Sequence, residues 1–201
     1  SPKGMEGHTY ATWDMPIEQA IIKKVVTDDG GDYSKINLIS TSVEDIKAAL
    51  SSNIDSVWIY YAWDGIACEL QGLDTNFFYF KDYSPELDDY SPVIIANNDF
   101  LKNNSEVAKK FMAALSKGYD YAIENPDDAA QILVDANEGL DIELCKKSQN
   151  WLASQYKADA DKWGVIDQKR WDAFYGWVYD NGLCEIDIPD GFGFSNDYLP
   201  E

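Results

Sequence analysis

The chain has 201 residues, of which 36 are acidic and 16 are basic, and its formal net charge at pH 7 is −20. This field repels phosphate backbones and anionic lipid surfaces, so we expect neither nucleic-acid binding nor direct membrane insertion. The three cysteines, Cys68, Cys145 and Cys184, are far apart and form no Cys-x-x-Cys pair. Neither a zinc site nor a disulfide framework is therefore indicated.

The first half of the chain alternates between strand-like and helix-like segments. Alternating, β-branched and aromatic residues predict strands at 8–13, 35–40, 55–61 and 75–80. Helical spacing and helix-end signals predict helices from Pro16 to about residue 29, from Ser42 to about Leu50, and from Gly65 to Leu70. Strand–helix repeats at such short intervals indicate βαβ units and a largely parallel sheet, so the predicted fold class is α/β.

The second half is mostly helical. One further strand is predicted at 92–97, followed by helices at 105–124, 126–137, 142–156 and 167–181 and an irregular tail. Each amphipathic helix has to bury an apolar face. These helices could form a bundle among themselves, or they could cover a sheet whose other strands lie outside this chain.

The segment 55–65 concentrates large aromatic side chains where a predicted strand ends. The four aromatics within six residues are Trp58, Tyr60, Tyr61 and Trp63. Asp64 follows them and is predicted to be the N-cap of the next helix. In an open α/β sheet, ligands bind outside the carboxyl ends of the strands. The segment therefore predicts a site for a flat, nitrogen-rich small molecule, with a plain core cluster as the alternative.

Residues that could carry catalysis are scarce. His8 is the only histidine, and no nucleophile motif surrounds a serine or cysteine. The chain has no P-loop, no G-x-G-x-x-G motif and no H-E-x-x-H motif, and the acidic run at 28–32 lacks the spacing of a calcium loop. We therefore predict no catalytic residue, no metal site and no cofactor.

Several segments together resemble one protein family, in the same order along almost the whole chain. They are YATWDMP at 10–16, WIYYAWDG at 58–65, KDY at 81–83, YSPVII at 90–95, KGYDYA at 117–122, KSQNWL at 147–152 and FSNDYLP at 194–200. The pattern is similar to the substrate-binding proteins of ABC importers for thiamine pyrimidine precursors, among them the formylaminopyrimidine-binding proteins.

The resemblance implies a type II periplasmic-binding-protein-like fold, in which two α/β lobes close on a ligand. Residues 8–90 would form the second lobe as one complete βαβ lobe. Residues 91–201 would supply the return strand and the helical C-terminal part of the first lobe. The opening half of the first lobe is expected to precede residue 1, so we expect this chain to be a fragment or processed form of a longer protein.

The resemblance also implies a cellular location, a protein partner and a ligand. It implies an extracytoplasmic location, either periplasmic or anchored to the cell surface as a lipoprotein, and an ABC permease as partner. The ligand would be an aminopyrimidine. If the first lobe is incomplete, association with a separate N-terminal segment or with a second copy of the chain is expected.

Part of the expected binding site follows from two family motifs. Trp13 matches the tryptophan of a YGGWG motif, although Thr12 and Asp14 stand where the family more often has glycine. A second match, to an aromatic–aromatic–acid triplet at the family's ligand cleft, comprises Tyr61, Trp63 and Asp64. Aromatic rings would stack on the pyrimidine face, and the carboxylate would accept hydrogen bonds from its amine edge.

Other residues of the same segment divide between binding and structural roles. Glu is common in the family in place of Asp64, so the exact ligand stays open. Glu69, one helical turn beyond Gly65, is the fifth expected ligand-binding residue. Strand alternation places Tyr60 on the opposite face from Tyr61. Tyr60 and Trp58 are therefore expected to be structural.

Two other functions stay open at this level. Similar scaffolds bind riboflavin, sulfonates or other small molecules, although a sulfonate would call for basic residues that the aromatic segments lack. Eukaryotic relatives are enzymes that make the pyrimidine phosphate, so a pyrimidine-precursor synthase-like enzyme is the second alternative. A chain that lacks one wall of a two-lobed cleft could also bind nothing.

Overall fold

A computed structural model of the chain describes residues 1–200. They divide into two compact units. Unit 1 comprises residues 1–89 and 168–192, and unit 2 comprises residues 90–167 and the segment that begins at Gly193. Among these residues, no helix is both long and apolar enough to cross a membrane.

Unit 1 contains a small parallel sheet. Its three strands are β1 (Thr9–Thr12), β2 (Asn37–Ser40) and β3 (Ser56–Val57), in the order β2-β1-β3. The register pairs Tyr10 with Leu38 and Ala11 with Val57. Helix α1 (Pro16–Asp28) connects β1 to β2, and α2 (Ile46–Leu50) connects β2 to β3. The predicted parallel βαβ arrangement, and with it the α/β fold class, is confirmed for this part of the chain.

The core of unit 1 lies around α1. Ile22 and Val26 pack with Tyr10 of β1 on one side of the helix. Ile21 and Val25 pack with side chains of α8 (Gln168–Asp180) on the other. Helix α8 is therefore part of this core, although it is far from α1 in the sequence. An arginine also joins α8 to the chain before residue 90, because Arg170 Nε donates to the Asp88 carbonyl oxygen at 2.6 Å.

One buried carboxylate joins the end of β1 to the start of α1. Glu18 lies in the first turn of α1 and is only 2% exposed. It accepts hydrogen bonds from the Tyr10 hydroxyl at 2.5 Å, the Thr12 hydroxyl at 2.9 Å and the Trp13 amide at 3.0 Å. Burial, and then the bond to Glu18, raise the pKa of the Tyr10 hydroxyl, which stays a donor. This carboxylate fixes the direction in which the chain leaves the sheet.

A second polar cluster holds the other end of α1. Lys24 Nζ lies 2.7 Å from a carboxylate oxygen of Asp28 and 2.7 Å from one of Glu86. The fully buried Ser84 hydroxyl also donates to Asp28, at 2.7 Å. Partial burial raises the pKa of Asp28, but the bonds from Lys24 and Ser84 outweigh it, so the pKa lies below its ordinary value.

Unit 2 is helical. Its helices are α4 (Asn98–Asn103), α5 (Ser105–Glu124), α6 (Pro126–Ala136) and α7 (Ile142–Ala153). Their core includes Trp163, whose ring stacks on Tyr119 at a centroid distance of 4.2 Å. Helices α5, α6 and α7 pack on one another, as the bundle interpretation expects. Val107 and Phe111 on α5 are nevertheless each 56% exposed, so this packing does not bury every apolar face.

The predicted helices of the second half are confirmed to within a few residues. Two predicted strands are wrong, because neither 75–80 nor 92–97 pairs with another strand among residues 1–200. The first keeps its alternation: Phe78 and Phe80 pack against the core, while Phe77 and Tyr79 contact Tyr61. In the second, residues 92–97 are all exposed, Ile95 to 88%.

The remaining short elements complete the described chain. These are α3 (Ile66–Leu70), a π-helical turn at Tyr61–Gly65, and 3-10 turns at Pro2–Met5, Tyr33–Lys35, Phe80–Asp82 and Pro85–Leu87. The sequence assigned residues 167–181 to the region 91–201, whereas α8 lies in unit 1. The assignment of either unit to a lobe of a two-lobed binding protein stays a prediction.

Glu18→Gln should lower the free energy of unfolding by about 2–3 kcal/mol, because an amide cannot replace a buried carboxylate that accepts from three donors. Urea unfolding followed by tryptophan fluorescence measures the change. Glu106 is the matched control, since it lies in the first turn of α5 but is exposed. Glu106→Gln should cost less than about 1 kcal/mol. Equal losses in the two variants would contradict the proposed role of Glu18.

Asp28→Asn should change how stability depends on pH. Because the folded state lowers the pKa of Asp28, this carboxylate stabilises the fold above its unfolded pKa of about 3.9, and that contribution is lost as the pH falls through the folded pKa. The difference in unfolding free energy between wild type and Asp28→Asn should thus be largest near neutral pH and shrink below about pH 4. A difference that stays constant from pH 7 to pH 3 would refute the linkage.

Candidate functional site

The candidate site lies where the strand order of the sheet reverses. The chain leaves β1 towards β2 on one side, while β3 lies on the other side of β1. In open α/β sheets, ligands bind at such a switch point, outside the carboxyl ends of the strands. Trp13 directly follows β1, and the segment 58–65 directly follows β3. Both predicted parts of the site therefore start from adjacent, parallel strands.

Trp13 is presented by the turn that Glu18 holds. Its indole is 46% exposed and its ring centroid lies 5.6 Å from that of Trp58. The next residue, Asp14, has a φ of 58°, in the left-handed region that favours glycine. Its amide donates to the Thr12 hydroxyl at 3.0 Å. The observed backbone conformation thus gives a physical reason for the family's glycine at position 14. Aspartate adopts this left-handed conformation more readily than most other residues do.

Trp58 and Tyr60 have different environments. Trp58 packs against both apolar clusters around α1 and makes an edge contact with Phe80 at a centroid distance of 4.5 Å. Its predicted structural role agrees with this packing. Tyr60, in contrast, is 65% exposed and belongs to no core cluster of the described chain, so its predicted structural role is wrong. The reason is that β3 ends at Val57, so strand alternation does not reach residue 60.

The Tyr61 side chain is fixed from three directions. Its ring contacts Phe77 at a centroid distance of 4.8 Å and Tyr79 at 6.2 Å. Its hydroxyl donates to Glu69 Oε1 at 2.6 Å, and this bond, with some burial, raises the pKa of Tyr61 to about 12. A Cβ atom on Gly65 would lie 2.5 Å from the ring, so the turn brings the ring directly over a glycine. The turn is π-helical, a form that often occurs at functional sites.

Asp64 does not cap the next helix as predicted. Helix α3 begins at Ile66 and its N-cap position is Gly65. Asp64 lies within the π-helical turn instead, and its Oδ2 accepts from the Tyr60 amide at 3.2 Å. The carboxylate thus closes the turn on itself rather than starting a helix.

A cleft of about 350 Å³ lies beside this turn. Its lining comes from two segments, which are called its two walls below: Trp63, Asp64 and Cys68 follow β3, and Glu44, Asp45 and Lys47 follow β2. Trp63 is 39% exposed. Burial, and then the negative charge of Asp64, raise the pKa of the Cys68 thiol, so it is not prepared as a nucleophile. The volume is in the range of small-molecule sites.

The five predicted ligand-binding residues fall into three groups. Trp63 and Asp64 line the cleft. Tyr61 and Glu69 bond to each other beside Phe77 and Tyr79 and are not part of the cleft wall among residues 1–200. Trp13 packs on Trp58 at the end of β1. The structure therefore does not bring all five residues together in the cleft, and their contact with a ligand stays a prediction.

Sequence reasoning missed the second wall of the cleft. Glu44, Asp45 and Lys47 follow β2, whose carboxyl end lies on the same edge of the sheet as those of β1 and β3. Their position after a predicted strand was the signal in the sequence that could have identified them as lining residues. Within residues 1–200, no group of three or more His, Cys, Asp or Glu side chains is arranged to hold a metal ion.

Gly65→Ala should destabilise the protein by about 1–2 kcal/mol, because the new methyl group would displace the Tyr61 ring from its packed position. The measurement is urea unfolding. Gly176 in α8 is the matched control, since a Cβ there would meet nothing within 4 Å. Gly176→Ala should stabilise by about 0.5–1 kcal/mol through helix propensity. A stabilising Gly65→Ala would show that the ring is not held over the glycine.

Comparison with known proteins gives two matches. The chain is 28% identical over 184 residues to a formylaminopyrimidine-binding protein of Halalkalibacterium halodurans, an alignment that covers 89% of this chain and 55% of that protein. The chain therefore spans about half the length of the curated relative it matches. A family model described as NMT1/THI5-like matches residues 1–129, which include the whole sheet and the cleft. These matches confirm the resemblance to pyrimidine-precursor binding proteins, and the chain belongs to the NMT1/THI5-like family.

Proposed function

We propose that the protein is an extracytoplasmic solute-binding protein that captures an aminopyrimidine precursor of thiamine for an ABC importer, without catalysing a reaction. The observation that carries the proposal is the pairing of an exposed Trp63 with the Asp64 carboxylate in a cleft beside the sheet's switch point. The relative from Halalkalibacterium halodurans, a formylaminopyrimidine-binding protein by name, supports both the ligand class and a non-enzymatic role.

The cleft offers the two contacts that an aminopyrimidine needs. The half-exposed indole of Trp63 can stack on the ring, which is worth about 1–3 kcal/mol for a nucleobase on an aromatic side chain. Asp64 Oδ2 is used by the Tyr60 amide, while Oδ1 has no hydrogen-bond partner among residues 1–200. This oxygen can accept from the exocyclic amine in a charge-assisted hydrogen bond.

The other predicted residues act through the shape of the site. Tyr61 and Glu69 hold the π-helical turn that carries Trp63 and Asp64, because their hydrogen bond spans the turn and α3. Trp13 extends an aromatic surface from the end of β1 through Trp58. In this proposal Trp63 and Asp64 contact the ligand first, and Tyr61, Glu69 and Trp13 border the site.

Isothermal titration calorimetry with formylaminopyrimidine tests the proposal. Wild type should bind, and the double variant Trp63→Ala with Asp64→Ala should bind at least about 100-fold more weakly, since it loses both the stacking surface and the acceptor. The matched control is Tyr179→Ala with Asp180→Ala, an adjacent aromatic–acid pair in α8 with the same 39% exposure of the aromatic residue.

The control pair should leave the affinity unchanged. Titration with riboflavin, followed by flavin fluorescence, tests whether the protein binds this alternative ligand instead of an aminopyrimidine. Binding of riboflavin but not of formylaminopyrimidine would reject the ligand class, and equal losses in the two double variants would reject the cleft as the site.

A further inference from the structure

The cleft has an uneven charge. The carboxylates of Glu44, Asp45 and Asp64 line it, against one ammonium group, that of Lys47. The formal net charge of the whole chain, −20, has the same sign. A ligand in this cleft therefore meets a negative potential on both walls.

Two of the three carboxylates already serve the fold. Asp45 is the N-cap of α2 and accepts from the Ala48 amide at 3.0 Å. Asp64 accepts from the Tyr60 amide at 3.2 Å. Glu44 is exposed and has no hydrogen bond or ion pair with any residue from 1 to 200. Its whole charge is therefore available to a ligand in the cleft that Trp63 also lines.

We infer that Glu44 is a specificity-determining residue, which makes the cleft select aminopyrimidines without a phosphate over their phosphate monoesters. This inference rests on the proposed function, because it concerns the ligand of the same cleft. It goes further by giving a selective role to a residue on the second wall, which carries none of the aromatic side chains of the site.

The physical reason is repulsion between like charges. A phosphate monoester carries a charge of about −1.5 to −2 at pH 7. Two unit charges about 4 Å apart interact by about 1 kcal/mol even in bulk water, and more strongly near a protein surface. The neutral alcohol, or a protonated aminopyrimidine, avoids this cost. Lys47 acts in the opposite direction, since its ammonium makes no ion pair among the described residues 1–200.

Calorimetric titration of the full chain with two probes tests the inference. The probes are 4-amino-5-(hydroxymethyl)-2-methylpyrimidine and its phosphate monoester, each at pH 7 and at low salt. Wild type should bind the ester at least about tenfold more weakly than the alcohol. The ratio should fall as the salt concentration rises, because the cleft is open and mobile ions screen its charges.

Three single variants separate the roles of the two walls. Glu44→Gln should reduce the ratio of the two dissociation constants by about two- to fivefold, and Lys47→Gln should increase it by a similar factor. Asp74→Asn is the control, because Asp74 is an exposed carboxylate of unit 1 outside the cleft wall. It should leave the ratio unchanged. Circular dichroism of each variant checks that the fold is retained.

Two outcomes would overturn the inference while leaving the proposed function standing. They are equal or tighter binding of the ester, and an effect of Glu44→Gln no larger than that of Asp74→Asn, in a protein that does bind the alcohol. Binding of neither probe by a protein that does bind formylaminopyrimidine would also overturn the inference alone, whereas binding of none of the three compounds would reject the proposed function as well.

Discussion

The buried carboxylate of Glu18 is the interaction on which the rest of unit 1 depends. It ties the last residues of the central strand to the first turn of α1, and α1 in turn is the helix around which both apolar clusters form. A buried carboxyl group is costly unless it is hydrogen-bonded, and here three donors from one short segment bond to it. The same bonds place Trp13 at the end of the strand, so the core and one border of the proposed site are held by the same carboxylate.

The cleft depends on a second local fit, that of Tyr61 over Gly65. The chain leaves β3 after only two residues of ladder and winds into a π-helical turn. The turn is closed by the Asp64 carboxylate and braced by the bond between Tyr61 and Glu69. Trp63 and Asp64 of this turn line one cleft together with the segment after β2, which contributes two carboxylates and a lysine. The cleft is thus formed by segments that follow neighbouring strands, and charged side chains line it.

Much of this arrangement follows from sequence pattern. The helices at α5 to α8 were predictable because each has a long amphipathic repeat between helix-breaking residues, and the position of Trp63 and Asp64 after a strand pointed to the candidate site. Other features were not predictable. The alternation at 75–80 is real, but its side chains pack on Trp58 and Tyr61 without a neighbouring strand. Periodicity reports which faces are buried and cannot show whether a ladder partner is present.

By itself, the sequence determined the α/β character of unit 1, the helical character of unit 2, the family, and the segment that carries the candidate site. These are properties of local spacing and of motifs, which the chain carries without any long-range contact. Only the tertiary structure decided that α8 joins α1 in one core, that Asp64 closes a turn rather than capping a helix, and that Glu44 and Lys47 line the same cleft as Trp63. The core and the cleft depend on contacts between residues distant in the chain. The role of Asp64 depends on which backbone amide its carboxylate accepts from. Both are decided by the packing of the whole unit.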